Sequence, residues 1–312
     1  MKKIYLITFL FALAMVQANA QFLFRISGRG MEKPSYMLGT IHTMQGSVLD
    51  YTPEYTEVEA RCTQFYTEYD ITDQHRLKEL NDAIEQTKAS FKLPEGNNIL
   101  DVLSKEQIEE VDVRVKKIFG QKLSDSIMVG LWNFQPYILS FLISNKIKSE
   151  AKRHGPRPNR MSAPIDQTCI FRAKLKNMRV GQLDELEDRL KVQGFQPISI
   201  DVQVDSLMSL VRNYDQRLQS AIKEFEVLKQ STIYWCLADF KHFAAMDYWQ
   251  AELRNNPAVF RHRNERWLPK MEDAMKNAPT MFVFGAGHLL GNQGIIQILR
   301  NSGYQVEQVK KK

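Results

Sequence analysis

The stretch MFVFGAGHLLGNQGIIQILRNSGYQVEQV, from Met281 to Val309, decides the predicted fold. Its first four residues are apolar and predict a buried strand, and Gly285-Ala286-Gly287 predicts a tight turn after it. A helix is predicted from Leu289 to Arg300, and a last strand from Tyr304 to Val309. The order of strand, glycine turn, helix and strand is typical of an α/β unit.

The same glycines also resemble a dinucleotide-binding fingerprint, because Glu307 follows Gly287 by about twenty residues. Few residues follow Glu307, so we do not expect the further strands of such a domain, and exported proteins seldom meet free NAD. We therefore expect Gly285 and Gly287 to place His288 at the carboxyl edge of a sheet, where α/β proteins bind ligands.

The rest of the chain extends this unit. The predicted strands are Phe22–Ile26, Tyr36–Thr40, Gln64–Asp70 and Met178–Gln182. Helices are predicted at Lys105–Phe119, from near Pro136, and from Ala163 to about Lys176. The fold class is therefore α/β, with a central mixed sheet built from both ends of the chain, a long mainly helical insert, and helices covering the sheet.

The amino end predicts export. Residues 1–20, MKKIYLITFLFALAMVQANA, have the two lysines, short apolar run and Ala-x-Ala ending of a secretory signal. We expect residues 21–312 to form a single domain, with halves at about 21–160 and 161–309, in the periplasm or outside the cell. No later run is apolar over eighteen residues, so we expect no transmembrane segment after signal removal.

Charge and cysteine content restrict the possible functions only weakly. The formal net charge is +6, and +4 without Lys2 and Lys3, which suits solubility better than nucleic-acid binding. Nucleic acid is therefore not expected as a partner. The three cysteines could form one disulfide, or could all be small buried hydrophobic residues, and both alternatives stay open. Nothing in the sequence indicates an oligomeric state.

A second histidine repeats the arrangement of the opening stretch. The predicted strand at Met37 and Leu38 leads into Gly39-Thr40-Ile41-His42, as the later strand leads into Gly285-Ala286-Gly287-His288. Either histidine alone would serve equally well as a helix cap or a loop hydrogen-bonding group. Two Gly-x-x-His motifs in matching positions favour a functional site.

These motifs resemble the TraB/PrgY/GumN family, whose animal relatives are the Tiki proteases. The resemblance extends from about Phe22 to Val309 and includes Gly303-Tyr304-Gln305-Val306, Arg263-Asn264 with Trp267, and Glu68 within QFYTEYD. It implies a metal-dependent hydrolase, a peptidase using manganese or cobalt, on a fold related to the erythromycin-esterase and ChaN proteins. This chain has Leu183-Asp184 where relatives often have Leu-Glu.

The residue types suit that chemistry. Two neutral imidazoles and one carboxylate can hold a divalent ion, with zinc also compatible, and leave positions free for water. His42 and His288 would be ligands, and Glu68 a third ligand or the general base acting on a peptide or protein substrate. Arg263 would stabilise oxyanion charge or orient Glu68, with Asn264 as a supporting donor.

Other interpretations remain. Glu68 would also suit a solvent-facing strand position, with Asp70 as a reserve candidate on the same face. Arg263 lies in a charged run that also fits a solvated helix face. The competing function is a non-catalytic protein that binds and sequesters a peptide or haem on the same scaffold.

Overall fold

The computed structural model describes residues 20–154, 163–192 and 198–310. The expected signal segment lies outside the described residues apart from Ala20. In chain order the strands are β1 Ala20–Ser27, β2 Ser35–Thr40, β3 Gln64–Thr67, β4 Arg179–Gln182, β5 Thr280–Gly285 and β6 Gln305–Lys310. The α-helices are α1 Pro53–Glu59, α2 Gln74–Ser90, α3 Ile99–Val102, α4 Lys105–Phe119, α5 Val129–Trp132, α6 Pro136–Lys152, α7 Ile165–Leu175, α8 Leu186–Val192, α9 Ile200–Arg212, α10 Tyr214–Cys236, α11 Phe240–Ala244, α12 Asp247–Asn255, α13 Arg261–Asn277 and α14 Ile295–Asn301.

The described chain divides into two compact units. The first contains residues 20–70, 163–183 and 230–310, and the second contains residues 71–154, 184–192 and 198–229. The prediction of one domain with halves meeting near residue 160 stays a prediction, and each unit is described by itself.

The first unit contains the whole six-stranded sheet, in the order β4-β3-β5-β2-β1-β6. The strands β4, β3, β5 and β2 run parallel, whereas β1 is antiparallel to both β2 and β6. Strands from both ends of the chain therefore pair, and the predicted mixed α/β sheet is confirmed.

Strands β2 and β5 lie at the centre of this sheet. Every residue of both strands is buried, as expected for strands covered on both faces. The turn between β1 and β2 uses Gly28 at a φ of +99°, a conformation that side chains other than glycine rarely adopt.

Helices cover the sheet as predicted. Within the first unit α7 packs against β3 and β4, α11 against β1, and α14 against β6 and α13. The apolar core under these helices includes Trp267, Met37 and Phe282, which are fully buried.

The second unit is helical and has its own core. Helix α6 packs on α9, and α9 packs on α4. Each of these helices presents buried apolar residues at helical spacing, such as Val111 and Val115 on α4. Helix α4 spans the predicted residues, and Ser104 and Gln107 form a reciprocal cap at its start.

Two predicted elements differ from the structure. The helix predicted from Leu289 to Arg300 begins only at Ile295, because a 3-10 turn at Ala286–Leu289 is followed by Gly291 at a φ of +75°. The strand predicted to reach Asp70 ends at Thr67, opposite the last paired residue of β4. Glu68 therefore follows the strand and does not lie within it.

Candidate functional site

Three strands of the first unit end at one edge of the sheet. His42 lies two residues after β2, Glu68 directly follows β3, and His288 lies in the 3-10 turn that follows β5. Because β3, β5 and β2 are adjacent and parallel, their carboxyl ends meet at this edge, the usual ligand-binding edge of an α/β sheet.

The carboxylate of Glu68 lies between the two imidazoles. Its Oε1 is 3.5 Å from Nε2 of His42 and 4.0 Å from Nε2 of His288. The backbone N–H of Gly285 donates to the same oxygen at 2.7 Å. The structure therefore brings the two predicted histidines together around one buried carboxylate.

The first glycine of each motif is required by close packing. A Cβ at Gly285 would lie 2.7 Å from Nε2 of His42 and 3.3 Å from Oε1 of Glu68. A Cβ at Gly39 would lie 2.5 Å from the Leu289 side chain. A contact shorter than 3.0 Å forces a neighbouring group to move, so a larger residue at Gly285 would displace the groups of the cluster.

Arg263 joins the cluster from helix α13. Its Nη2 donates to Oε2 of Glu68 at 2.6 Å, and its Nη1 lies 3.1 Å from Nε2 of His288. The side chain is only 3% exposed, and its guanidinium stacks over Trp267. The alternative of a solvated helix face for Arg263 is therefore wrong.

Asn264 holds the ring of His288. Its side-chain oxygen lies 2.6 Å from Nδ1 of His288, while its amide nitrogen donates to the carbonyl of Gln293. This network places the imidazole proton on Nδ1 and leaves Nε2 as an acceptor for Arg263. The ring of Trp267 lies 4.3 Å from that of His288, so packing also fixes the imidazole.

His42 is held by Asp166, which is held in turn by Thr40, and neither is among the site residues predicted from the sequence. Its Nδ1 lies 2.9 Å from Oδ2 of Asp166, the second residue of α7. The hydroxyl of Thr40 donates to Oδ1 of Asp166 at 2.6 Å. The side chain of His42 is 59% exposed, whereas that of His288 is 4% exposed, so solvent reaches the cluster on the His42 side.

Burial and neighbouring charges shift the pKa values of these groups in different directions. Burial opposes ionisation of Glu68, but Arg263 and the two imidazoles outweigh it and hold the pKa of Glu68 well below its usual value. Burial lowers the pKa of His288 to about 3. Although the side chain of His42 is 59% exposed, partial desolvation of its ring acts to lower its pKa. The carboxylates of Asp166 and Glu68 overcome this and raise the pKa of His42 to about 9.

All five predicted site residues thus come together, and Asp166 and Thr40 join them. The sequence offers a signal for Thr40, because that residue lies inside the first motif. It offers none for Asp166, because an aspartate in the first turn of a helix is an ordinary favourable charge there. The reserve candidate Asp70 instead pairs with Lys174 at 3.1 Å.

The three cysteines are all free thiols. Cys62 and Cys169 are buried, and Cys236 is exposed.

The cluster does not form a finished metal cage. Within residues 20–154, 163–192 and 198–310, no group of three or more His, Cys, Asp or Glu side chains is arranged to hold a metal ion. The guanidinium of Arg263 lies against both Glu68 and His288. It supplies positive charge to the carboxylate of Glu68 and occupies Nε2 of His288, the nitrogen that a metal ion would need.

These features define an α/β protein with a buried histidine, carboxylate and arginine cluster at the carboxyl edge of a mixed sheet. The chain belongs to the TraB/PrgY/gumN family, whose sequence model matches residues 22–308. The resemblance noted from the motifs is therefore confirmed over almost the whole length.

Curated relatives are metalloproteases by name. Metalloprotease TIKI1 of Danio rerio is 23% identical over 88% of this chain and 61% of its own length. Metalloprotease TIKI2 of Xenopus tropicalis is 24% identical over 88% of this chain and 57% of its own, and human Metalloprotease TIKI1 is 22% identical over 88% and 60%. The chain thus spans about three fifths of the length of these relatives, whose names indicate a metal-dependent, protease-like family.

No solved structure matches the chain. Among the helices of the described residues, none has the length and apolar character needed to cross a membrane.

Proposed function

We propose that this protein is a metal-dependent hydrolase that cleaves peptide bonds, with His42, Glu68 and His288 as the residues that hold the divalent ion. One observation carries the proposal: Nε2 of both imidazoles faces the same carboxylate oxygen at 3.5 and 4.0 Å. The names of the metalloprotease relatives support the reaction class and a peptide or protein substrate.

The donor groups fit a divalent ion in their chemistry. Each imidazole has its Nδ1 beside an oxygen acceptor, Asp166 for His42 and Asn264 for His288. Metal-ligating histidines nearly always use their second nitrogen in this way. Two nitrogens and a carboxylate suit manganese, cobalt or zinc. The contact between Arg263 and Nε2 of His288 must open before that nitrogen can bind an ion.

Glu68 fits the role of ligand better than that of general base. Its pKa lies well below the usual value because Arg263 and the imidazoles outweigh the effect of burial. A carboxylate that binds protons so weakly is a poor base near neutral pH. Glu68 therefore stays ionised, and its charge attracts a cation to the edge of the sheet.

The remaining residues support binding and charge stabilisation. A bound divalent ion would polarise a carbonyl and acidify a water molecule. Arg263 reaches the cluster from α13 with a guanidinium that stays charged, and it stabilises negative charge developing on a substrate oxygen. Asn264 keeps the proton of His288 on Nδ1. Substrate approaches from the side of His42, the most exposed of the three ligands.

The proposed location is outside the cytoplasm. The support comes from residues 1–20, whose lysines, short apolar run and Ala-x-Ala ending are typical of a secretory signal. Mass spectrometry of the protein recovered from its native cells tests this directly. A mature amino terminus at Gln21 supports export, and an intact Met1 terminus contradicts it.

Metal titration combined with peptide cleavage tests the proposed activity. We expect purified protein to bind one equivalent of Mn²⁺ or Co²⁺ and to cleave members of a peptide library only in its presence. His42→Ala and Glu68→Gln should each abolish binding and cleavage. His242→Ala is the matched control, because His242 also pairs with an aspartate, Asp239, but is exposed and lies outside both Gly-x-x-His motifs. Failure of wild-type protein to bind any divalent ion would contradict the proposal.

A second function is favoured by one specific observation. The guanidinium of Arg263 already pairs with the carboxylate of Glu68 and contacts Nε2 of His288. This arrangement is compatible with a non-catalytic protein that sequesters a peptide or haem. Incubation of the same peptide library with manganese separates the two: retention of a peptide at unchanged mass supports the binder, and cleavage supports the hydrolase.

A further inference from the structure

We propose that Asp166 is a positioning residue that holds His42 in the orientation and tautomer able to bind the metal ion. The inference rests on the proposed function and deepens it. Asp166 belongs to neither Gly-x-x-His motif and lies far from His42 in the sequence, yet it contacts Nδ1 of that histidine at 2.9 Å.

Both oxygens of the Asp166 carboxylate are in use. Oδ2 lies against Nδ1 of His42, and Oδ1 accepts a hydrogen bond from the hydroxyl of Thr40 at 2.6 Å. Thr40 is the last residue of β2, and its hydroxyl also lies 3.3 Å from the carbonyl of Phe284 on β5. The carboxylate is therefore anchored to the centre of the sheet and cannot rotate freely.

An ionised carboxylate fixes the tautomer of its partner, because it can only accept hydrogen bonds. With Oδ2 of Asp166 as acceptor, Nδ1 of His42 must carry the proton. When the ring loses its second proton, as binding of a metal ion requires, the lone pair is on Nε2, the nitrogen that lies 3.5 Å from Oε1 of Glu68. In the other tautomer Nε2 would carry the proton and could not bind a metal ion.

His42 needs this support more than His288 does. His288 is buried against Trp267 and is held by Asn264. The side chain of His42 is 59% exposed, so packing alone leaves its ring free to choose other rotamers. The hydrogen bond that Nδ1 of His42 donates to Oδ2 of Asp166 therefore restricts the ring.

A purely structural role makes a different prediction. Asp166 lies in the first turn of α7, where a negative charge stabilises a helix. If that were its only role, removing the charge would lower the stability of the protein and leave the affinity for metal unchanged. Metal affinity and stability of the metal-free protein therefore distinguish the two roles.

The test compares Co²⁺ binding by wild type and Asp166→Asn, followed by the visible absorption of bound cobalt and by calorimetry. Asparagine keeps the size of the side chain but can present an N–H to Nδ1, which favours the wrong tautomer. We expect affinity about 10- to 100-fold weaker, as is usual for loss of such a partner. The melting temperature of the metal-free protein should change little.

Two further variants complete the design. Asp239→Asn is the matched control, because Asp239 also contacts Nδ1 of a histidine, His242, at the exposed start of α11, and asparagine preserves a helix cap. Thr40→Val releases Oδ1 of Asp166 without removing the carboxylate, and we expect it to weaken cobalt binding by several fold. If Asp166→Asn does not fold, Thr40→Val tests the positioning role of Asp166: weaker cobalt binding supports that role, and unchanged binding contradicts it.

The outcomes are distinguishable. If wild type binds Co²⁺ and Asp166→Asn binds it within about threefold, the positioning role is wrong while the proposed metal site stands. An equal loss of affinity in Asp239→Asn would also overturn it, because the effect would not be specific to His42. If wild type binds no divalent ion, the proposed function itself fails.

Discussion

The buried ion pair between Arg263 and Glu68 gives the most quantitative prediction for the cluster. The two side chains are 3% and 10% exposed, and Nη2 lies 2.6 Å from Oε2. For charge centres about 4 Å apart in an effective dielectric of about 20, the attraction is about 4 kcal/mol. Arg263→Met keeps much of the side-chain volume but removes the guanidinium from the buried carboxylate of Glu68. We therefore expect the free energy of unfolding to fall by about 3–5 kcal/mol.

Denaturant unfolding of the metal-free protein measures this change. The control is Arg261→Met on the same helix, where the pair with Glu265 is about half exposed and should contribute at most about 1 kcal/mol. The double variant Arg263→Met with Glu68→Gln should be more stable than Arg263→Met alone, because glutamine removes the buried carboxylate that the guanidinium of Arg263 stabilises. A loss below about 1 kcal/mol in Arg263→Met, equal to that of Arg261→Met, would refute this account of the cluster.

Further predictions concern the glycine of the second motif and the response to acid. Gly285→Ala should weaken divalent-metal binding by at least about tenfold, or about 1.4 kcal/mol, because its Cβ would lie 2.7 Å from Nε2 of His42. The control Gly130→Ala should bind the metal as wild type does, because a Cβ there meets nothing within 4 Å. Equal affinities in all three proteins would contradict the prediction. Acid should destabilise the fold through His288, whose pKa is lowered by burial from 6.5 to about 3. Below pH 6.5 the imidazole of His288 takes up a proton in the unfolded chain but not in the folded chain. The free energy of unfolding should therefore fall by about 1.4 kcal/mol per pH unit between about pH 6 and 4.5. Unfolding experiments across that range should lose this slope in His288→Gln and keep it in His262→Gln, and a slope that persists in His288→Gln would show that another group is responsible.

Much of the fold follows from local sequence patterns. Continuous apolar runs such as Met281 to Phe284 predict buried strands, and the apolar spacing within Lys105–Phe119 predicts a helix with the observed limits. The helix predicted from Leu289 was placed too early, because the conformation of Gly291 depends on the packing of the turn around it. Strand order is also non-local: no local pattern shows that β5 lies between β3 and β2.

The candidate site was predictable where its residues lie in motifs. His42 and His288 were found because each follows an apolar strand and a glycine, and parallel strands bring those ends together. Asp166 was not predicted, because its contact with His42 joins the first turn of α7 to the end of β2. The burial of Arg263 was equally hidden, since its neighbours Arg261 and Arg266 in the sequence have the polar character of a solvated helix face.

The most direct test of the central claim is anomalous diffraction from crystals equilibrated with saturating Mn²⁺. We expect one manganese peak at the carboxyl edge of the sheet, within ligand-bond distance of Nε2 of His42, a carboxylate oxygen of Glu68 and Nε2 of His288. The guanidinium of Arg263 should have moved away from that last nitrogen. Crystals that show no peak there, with Arg263 still against Nε2 of His288, would contradict the proposed metal centre.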